Sequence, residues 1–136
     1  YDKKLSLLHE AISRWVVQVT TNSKKYSSLP KLALLNDLSR LCSFFGKEGT
    51  TGIILPQILA FLNDRRDWEL RAALCIHLPT VCAIVGRLAT EQFVVPCVEI
   101  ALIDGEEGVV SQAVLCLSNL VKMSLLTRAM LLGENS

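Results

Sequence analysis

The chain has 136 residues, of which 51% are hydrophobic and 20% charged, with 14 basic against 13 acidic side chains. This length is sufficient for one domain with its own core, and a net charge of +1 argues against a nucleic-acid surface, which needs an excess of cations. The longest apolar runs are interrupted by Glu99 or by His77 and Pro79, so we expect no stretch of about 20 apolar residues that crosses a membrane.

The first predicted helix covers residues 3–20, where apolar residues recur at helical spacings of three and four. A polar loop at 21–28 leads to Pro30, which suits the first turn of a second helix that we expect to end at Gly46. The predicted core stripe of the first helix is Leu7, Leu8, Ala11, Ile12, Trp15, Val16 and Val19.

The second helical pair is predicted to begin near Thr51. Pro56 is expected in the opening turn of its first helix, where a missing amide costs nothing. Residues 63–66 form the turn, Asp67 is the expected N-cap of the second helix, and Pro79 is expected to kink that helix.

The third pair follows the same plan, with Thr90 as the predicted cap of its first helix and the turn at residues 104–108. Residues 125–132 are predicted to start a further helix that covers the end of the stack. No strand-type alternation persists in the sequence, so the predicted class is all-α. The second helix of this pair is expected to bury Val110, Ala113, Val114, Leu117, Leu120 and Val121.

The sequence repeats itself with a period of forty residues. Four residue types recur at that interval without a gap: proline (56 and 96), aspartate (64 and 104), cysteine (42 and 82) and glycine (46 and 86). Periods of about 40–47 residues built from two helices are typical of HEAT and armadillo repeats. We therefore predict a HEAT-type α-solenoid, an alpha-alpha superhelix of about three helical pairs plus a short C-terminal helix. Its repeats are placed at 1–46, 47–86 and 87–126, with a truncated capping tail at 127–136, all in one structural domain.

Few residues are candidates for chemistry. No catalytic residue, cofactor or metal site is predicted, because the sequence has no nucleophile–base signature, phosphate loop or zinc-ligand spacing. We therefore do not expect an enzyme, and His77 is predicted to be a helix residue satisfied by a neighbour. The five cysteines are expected to be buried free thiols in a reducing compartment: Cys42, Cys75, Cys82, Cys97 and Cys116.

Asp64, Asp67, Arg71 and Asp104 are predicted to be structural residues of the turns. Asp64 and Arg71 are seven residues apart across a turn, and we expect them to meet there. An aspartate in the turn and an arginine early in the second helix typically form a hydrogen-bonded ladder along a HEAT array. Ser111 stands where the next arginine would fall, so the ladder is expected to be incomplete there.

Trp68, Arg65 and Arg66 are candidate partner-binding residues around the same turn. Trp68 occupies the first helical position after the turn. It either packs on the neighbouring repeat or serves as an exposed anchor for a partner, since tryptophan is favoured at binding hot spots. The sequence leaves both interpretations open.

Four segments carry a narrower resemblance: LHEAISRWVVQV, RLCSFFG, FLNDRRDWELR and ALIDGEEGVVSQAVLCLSNL. In this order and spacing they are similar to the central HEAT region of the regulatory subunit (subunit 4) of class III phosphatidylinositol 3-kinase. The resemblance covers about residues 7–132. That family joins a kinase-like domain, this helical region and a WD-repeat propeller.

The resemblance implies a non-catalytic scaffold whose partners are the catalytic subunit of the lipid kinase and its other regulatory subunits. It implies a cytoplasmic location, peripheral to endosomal and autophagic membranes through the full-length complex. None of the family's nucleotide-binding residues falls in this chain, so no activity carries over. A generic HEAT or armadillo adaptor for another protein or nucleic acid is the alternative. Because the chain starts at Tyr1 and not at Met, we expect a piece of a longer protein.

Overall fold

The computed structural model describes residues 2–21, 28–127 and 129. Every regular element among these residues is a helix or a helical turn, which confirms the predicted all-α class. The elements form three successive helical pairs, and each pair packs on the next, as in a solenoid. The repeat boundaries assigned from the sequence stay a prediction.

The first pair consists of α1 (Asp2–Thr21) followed by α2 (Leu29–Asn36) and α3 (Leu38–Gly49). The helix predicted from Pro30 is therefore interrupted at Asp37, whose amide bonds to the carbonyls of Ala33 and Leu34 at 3.2 Å each. This tight turn divides the predicted single helix into two.

Helix α1 lies at one end of the described stack and buries only a narrow stripe. Val16 is fully buried, whereas Trp15 is 46% exposed and Leu7 is 59% exposed. The prediction that Trp15 belongs to the core is therefore wrong. Its periodicity is helical, but the helices that follow in the chain cover α1 from one side, including α3 through the stacking of His9 on Phe44, so the far side of its apolar stripe faces outward.

The second pair begins directly after Gly46, earlier than predicted. Gly46 has φ 71° and ψ −176°, which ends the preceding helix. Helical backbone then continues through the last turn of α3, a π-helical turn (Thr50–Ile54), α4 (Leu55–Leu59) and a 3-10 turn (Ala60–Asn63). We call residues 47–63 the Pro56 rod.

Pro56 is the second residue of α4, as expected for an opening turn, but helical backbone already precedes α4 in this rod. A proline inside an α-helix has no amide to donate, and its ring crowds the carbonyl four residues back. Here the amide of Leu55 bonds to the carbonyl of Thr50, five residues back. The π turn thus adds one residue just ahead of the proline and accommodates it.

Helix α5 (Trp68–Val85) is the second helix of this pair and runs on both sides of Pro79. Its N-cap is Asp67, whose Oδ1 accepts the amide of Leu70 at 3.2 Å. By length and composition alone α5 could cross a membrane, although the sequence analysis expected no membrane-crossing stretch. In the structure it is the central core helix, packed against α2 and α3 and against the last described helix, and Leu70, Leu74 and Leu78 are fully buried.

The third pair repeats the design of the second. It comprises α6 (Arg87–Ala89), a π turn (Thr90–Val94), α7 (Val95–Ala101) and, after the turn, α8 (Glu107–Lys122). We call residues 87–101 the Pro96 rod. Gly86, with φ 90° and ψ 177°, precedes the first residue of this rod. The expectation that α8 buries Val114 is wrong, because this side chain is 52% exposed. Val109 is fully buried instead.

Thr90 is a buried residue inside the Pro96 rod, and the prediction that it caps the helix is wrong. Its Oγ1 donates to the carbonyl of Gly86 at 2.7 Å, and its side chain also bonds to the thiol of Cys82. Thr50 and Cys42 form the same side-chain contact one period earlier. These pairs join the end of one helical pair to the start of the next, which accounts for the recurrence of cysteine at 42 and 82.

Four of the five cysteines are buried, as predicted, whereas Cys97 is only partly buried. Burial raises the pKa of Cys75 and of Cys82 to about 11 each. At the end of the stack Leu126 is 2% exposed, so the chain folds over α8 there. Most of the predicted capping tail, at 128 and 130–136, lies outside the described residues.

We expect Gly86→Ala to lower the free energy of unfolding by about 1–3 kcal/mol, because an extended ψ combined with a positive φ is accessible to glycine almost alone. Chemical denaturation followed by circular dichroism measures the loss. Gly52→Ala is the matched control: a Cβ at Gly52 would meet nothing within 4 Å, so stability should stay unchanged or rise slightly. Equal losses in both variants would contradict the proposed role of Gly86.

Candidate functional site

The best-formed buried polar contact in the described part of the chain joins Arg71 to Asp104. Arg71 lies in the first turn of α5, and Asp104 lies in the turn of the following pair. The guanidinium Nε and Nη2 each lie 2.9 Å from one carboxylate oxygen. The two side chains are only 6% and 4% exposed. This bidentate contact is a strong form of ion pair, and it connects two successive helical pairs.

Asp64 and Arg71 do meet across their turn, but not through the carboxylate. Arg71 Nη1 donates to the main-chain carbonyl of Asp64 at 2.7 Å. The Asp64 carboxylate instead accepts the amides of Arg66 and Asp67 at 2.9 and 3.3 Å. Its other oxygen lies 3.9 Å from the ammonium of Lys31. The aspartate thus shapes its own turn and faces the preceding pair.

Lys31 is a residue of this cluster that the sequence analysis missed. It precedes Arg71 by forty residues. The period that relates Asp64 to Asp104 therefore also relates Lys31 to Arg71 and would have predicted a cation at this position. Lys31 is 7% exposed, and its ammonium lies 5.5 Å from the centre of the Phe61 ring. We call the contacts Lys31–Asp64 and Arg71–Asp104 the ladder. Ser111, the next position in the period, is exposed and uncharged.

The electrostatics of the ladder follow from its hydrogen bonds. The guanidinium of Arg71 lowers the pKa of Asp104 below its ordinary value, and burial of the carboxylate opposes this only partly. The same bonds raise the pKa of Arg71. Both groups are therefore charged at neutral pH. Removing either partner would leave a buried charge without compensation, which is costly.

Trp68 packs on the neighbouring helical pair, one of the two interpretations that the sequence left open, and its role as a partner anchor stays a prediction. Its ring lies against Gly108 of the next pair, so closely that a Cβ at Gly108 would overlap the six-membered ring. The residue nevertheless remains 41% exposed. Arg65 donates to the carbonyl of Leu62 and lies 3.8 Å from Asp104, with 64% of its side chain exposed. Arg66 is exposed as well.

His77, the other candidate for chemistry, lies on α5 outside the two contacts of the ladder. Burial lowers the pKa of His77, which is partly buried on α5. Within residues 2–21, 28–127 and 129, no three His, Cys, Asp or Glu side chains come together as a metal-binding group. The buried Lys, Arg and Thr side chains of the described part serve contacts between or within helical pairs. Together, these features define an all-α, solenoid-like stack whose buried polar groups hold successive pairs in register.

Comparison with known proteins identifies the family. The sequence profile of the family described as "PIK3R4-like, middle domain" matches residues 1–134, and the chain belongs to this family. The resemblance drawn from RLCSFFG and FLNDRRDWELR is confirmed at that level.

Curated relatives extend the comparison to individual proteins. The probable serine/threonine-protein kinase vps15 of Dictyostelium discoideum is 39% identical over 132 residues, which are 97% of this chain and 7% of that protein. The serine/threonine-protein kinase VPS15 of Arabidopsis thaliana is 37% identical over 129 residues, 95% of this chain and 8% of that protein. A Candida glabrata protein named non-specific serine/threonine protein kinase is 32% identical over 122 residues, with coverages of 90% and 8%. The chain spans less than a tenth of each relative.

We expect Arg71→Met to lower the free energy of unfolding by about 3–5 kcal/mol, because the Asp104 carboxylate stays buried without its partner. Asp104→Ala should cost a similar amount, and the double variant should lose less than the sum of the single losses. Urea denaturation of the four proteins completes the cycle.

The pair Glu10–Arg14 is the control for this cycle, since its charged groups are 3.8 Å apart but its side chains are 66% and 71% exposed. Arg14→Met should cost about 0.5 kcal/mol or less. Strictly additive losses at Arg71 and Asp104 would contradict the ladder contact.

The pH dependence of stability should report on Asp104. Its pKa is lower in the folded chain than its value of about 3.9 in an unfolded chain, so protons bind the unfolded state more tightly. The contribution of this carboxylate is therefore complete above about pH 4 and is lost as the pH falls through the folded pKa. The difference in free energy of unfolding between the wild type and Asp104→Asn should shrink below about pH 4. A difference that stays constant into strong acid would show that the carboxylate is not the titrating group.

Proposed function

We propose that this chain is a non-catalytic segment of a protein-interaction scaffold, the HEAT-repeat portion of the regulatory subunit of a class III phosphatidylinositol 3-kinase complex. The observation that carries the proposal is the family match across residues 1–134. The ladder supports the HEAT assignment, because a turn aspartate meets a cation from the second helix of the preceding pair at two successive positions of the forty-residue period.

The non-catalytic role is supported by how the buried charges are used. Arg71 and Asp104 bond to each other, and Lys31 faces Asp64, all at the contacts between helical pairs. These charged groups therefore hold the stack together. The kinase names of the relatives describe proteins of which this region is 7–8%, and we assign their kinase chemistry to other parts of those proteins.

The proposed partners are the catalytic subunit of the lipid kinase and its other regulatory subunits, in endosomal sorting and autophagy. Stacked helical pairs present a long, stiff surface suited to holding several proteins at once. The proposed location is the cytoplasm, at endosomal and autophagic membranes through the full-length complex. In that arrangement the exposed faces of the pairs contact proteins, and the ladder inside keeps those faces aligned.

Co-purification tests the scaffold. The full-length subunit, co-expressed with the lipid kinase and its other regulatory subunits, should purify with them as one complex, detected by mass photometry. Deleting residues 47–86 removes one period and keeps the repeat phase, so it should weaken assembly while the remaining domains fold. The proposal fails if the intact subunit does not co-purify with these proteins.

A phosphoryl-transfer assay tests the non-catalytic part of the proposal separately. The 136-residue chain, incubated with radiolabelled ATP, magnesium and a general protein substrate, should transfer no phosphate above the buffer control. Transfer that follows the chain through two successive purification steps would contradict the proposal.

A further inference from the structure

A continuous groove runs between the Pro56 rod and the Pro96 rod. It consists of three cavities of about 340, 410 and 200 Å³. The first two cavities share Pro56, Leu59 and Cys97 as lining residues. The second and third share Leu62, Arg65 and Ile100.

The walls of the groove are apolar side chains at helical spacing. Phe93, Cys97 and Ile100 follow one another at intervals of four and three residues along the Pro96 rod and all line the groove. Phe93 is 51% exposed and Ile100 is 65% exposed. At the turn that ends this wall, Ile103 is 84% exposed. Large apolar side chains that line a common groove and remain exposed suggest an interaction site.

The dimensions of the groove fit a helix. Its wall on the Pro56 rod extends from Thr51 to Leu62, which is roughly 17 Å at a rise of about 1.5 Å per residue. This length corresponds to about three helical turns, and the groove contains three cavities. A helix that places one apolar side chain per turn on one face would fill one cavity with each.

The charge of the groove is confined to one end. Arg65 lines two of the cavities; one guanidinium nitrogen lies 3.8 Å from Asp104, but 64% of its side chain is exposed. Asp104, the other charged lining residue, is 4% exposed and is bonded to Arg71. The cavity at the opposite end, lined by Thr51 and Phe93, has no charged side chain. The exposed charge that a partner meets is therefore a cation at the turn end.

We propose that this groove docks an amphipathic helix of a protein partner. Three apolar side chains of that helix, at positions i, i+3 or i+4, and i+7, occupy the three cavities, and a carboxylate at its end pairs with Arg65. The inference rests on the proposed scaffold function and deepens it, because it assigns one surface and one kind of partner to this segment.

Cys97 provides a direct reporter of occupancy. It lines two of the three cavities and is the one cysteine that is not fully buried. A helix in the groove should therefore slow its modification by a maleimide. The Cys97→Ser variant establishes the background from the four buried thiols.

The probes are two synthetic stapled helices of equal length with leucines at i, i+4 and i+7. One carries glutamates at both ends and the other carries lysines. The glutamate helix should protect Cys97 of the 136-residue chain and bind about tenfold or more tightly than the lysine helix, because the lysines would meet Arg65. Arg65→Ala should remove that preference. If neither helix protects Cys97 from modification, the proposal is overturned.

Matched variants separate the groove from the rest of the surface. Ile100→Asp and Phe93→Asp should each weaken binding of the glutamate helix about tenfold or more. Ile76→Asp, at a 54% exposed position of α5 that lines none of the three cavities, should bind like the wild type. Circular dichroism checks that all three variants are folded. Equal loss in Ile76→Asp and Ile100→Asp would contradict the docking site.

Two further outcomes would assign the groove to another occupant and overturn the proposal. One is equally tight binding of a proline-interrupted peptide of the same composition, which cannot form the helix. The other is self-association of the chain, seen by sedimentation, that protects Cys97 without any peptide. In that case the occupant is a second copy of the chain.

Different results would contradict the groove proposal and the scaffold proposal. If the intact full-length subunit co-purifies with the lipid kinase but the glutamate helix does not bind, the groove proposal falls and the scaffold proposal stands. If the intact subunit does not co-purify, the scaffold proposal falls whatever the peptide does. Full-length subunit carrying Ile100→Asp then shows whether any of the co-purified proteins depends on the groove.

Discussion

The stacking of this chain depends on the buried contact between Arg71 and Asp104. One guanidinium uses three donors, two toward the aspartate of the next pair and one toward the carbonyl of Asp64 in its own turn. A single side chain therefore fixes the turn of one pair and the register of the following pair. Apolar packing alone is non-directional, whereas this contact specifies one relative position of the two pairs.

Much of this arrangement is encoded locally and can be predicted. The forty-residue period pointed to Asp64 and Asp104, the seven-residue spacing across the turn pointed to Arg71, and glycine at 46 and 86 indicated where helices end. The sequence predicted a ladder along the array but could not show that Arg71 bonds to the carboxylate of Asp104 and only to the main-chain carbonyl of Asp64, since that depends on how closely two pairs stack. Lys31 was not predicted as a ladder residue, because the period has lysine at 31 and arginine at 71, although both side chains supply a cation.

The differences at Trp15 and Pro56 have a common physical cause. Trp15 lies on a helical apolar stripe, but periodicity does not tell how many neighbours a helix has, and α1 lies at one end of the described stack. Pro56 was placed in an opening turn because proline is tolerated there. Pro56 does lie in the first turn of α4, but helical backbone already runs from residue 47, and a π turn accommodates the proline. In both cases a local rule was applied without the tertiary context that decides among its permitted solutions.

The π turns determine which side chains each rod presents to its surroundings. One additional residue in a turn rotates everything beyond it by roughly 100° relative to an unbroken α-helix. Phe93 stands within such a turn and Ile100 after it, so their common wall exists only in this helical phase. A homologue that loses one residue from this stretch could keep every ladder residue and still present a different surface. Such indels would let partner specificity diverge among relatives while the stack itself is conserved.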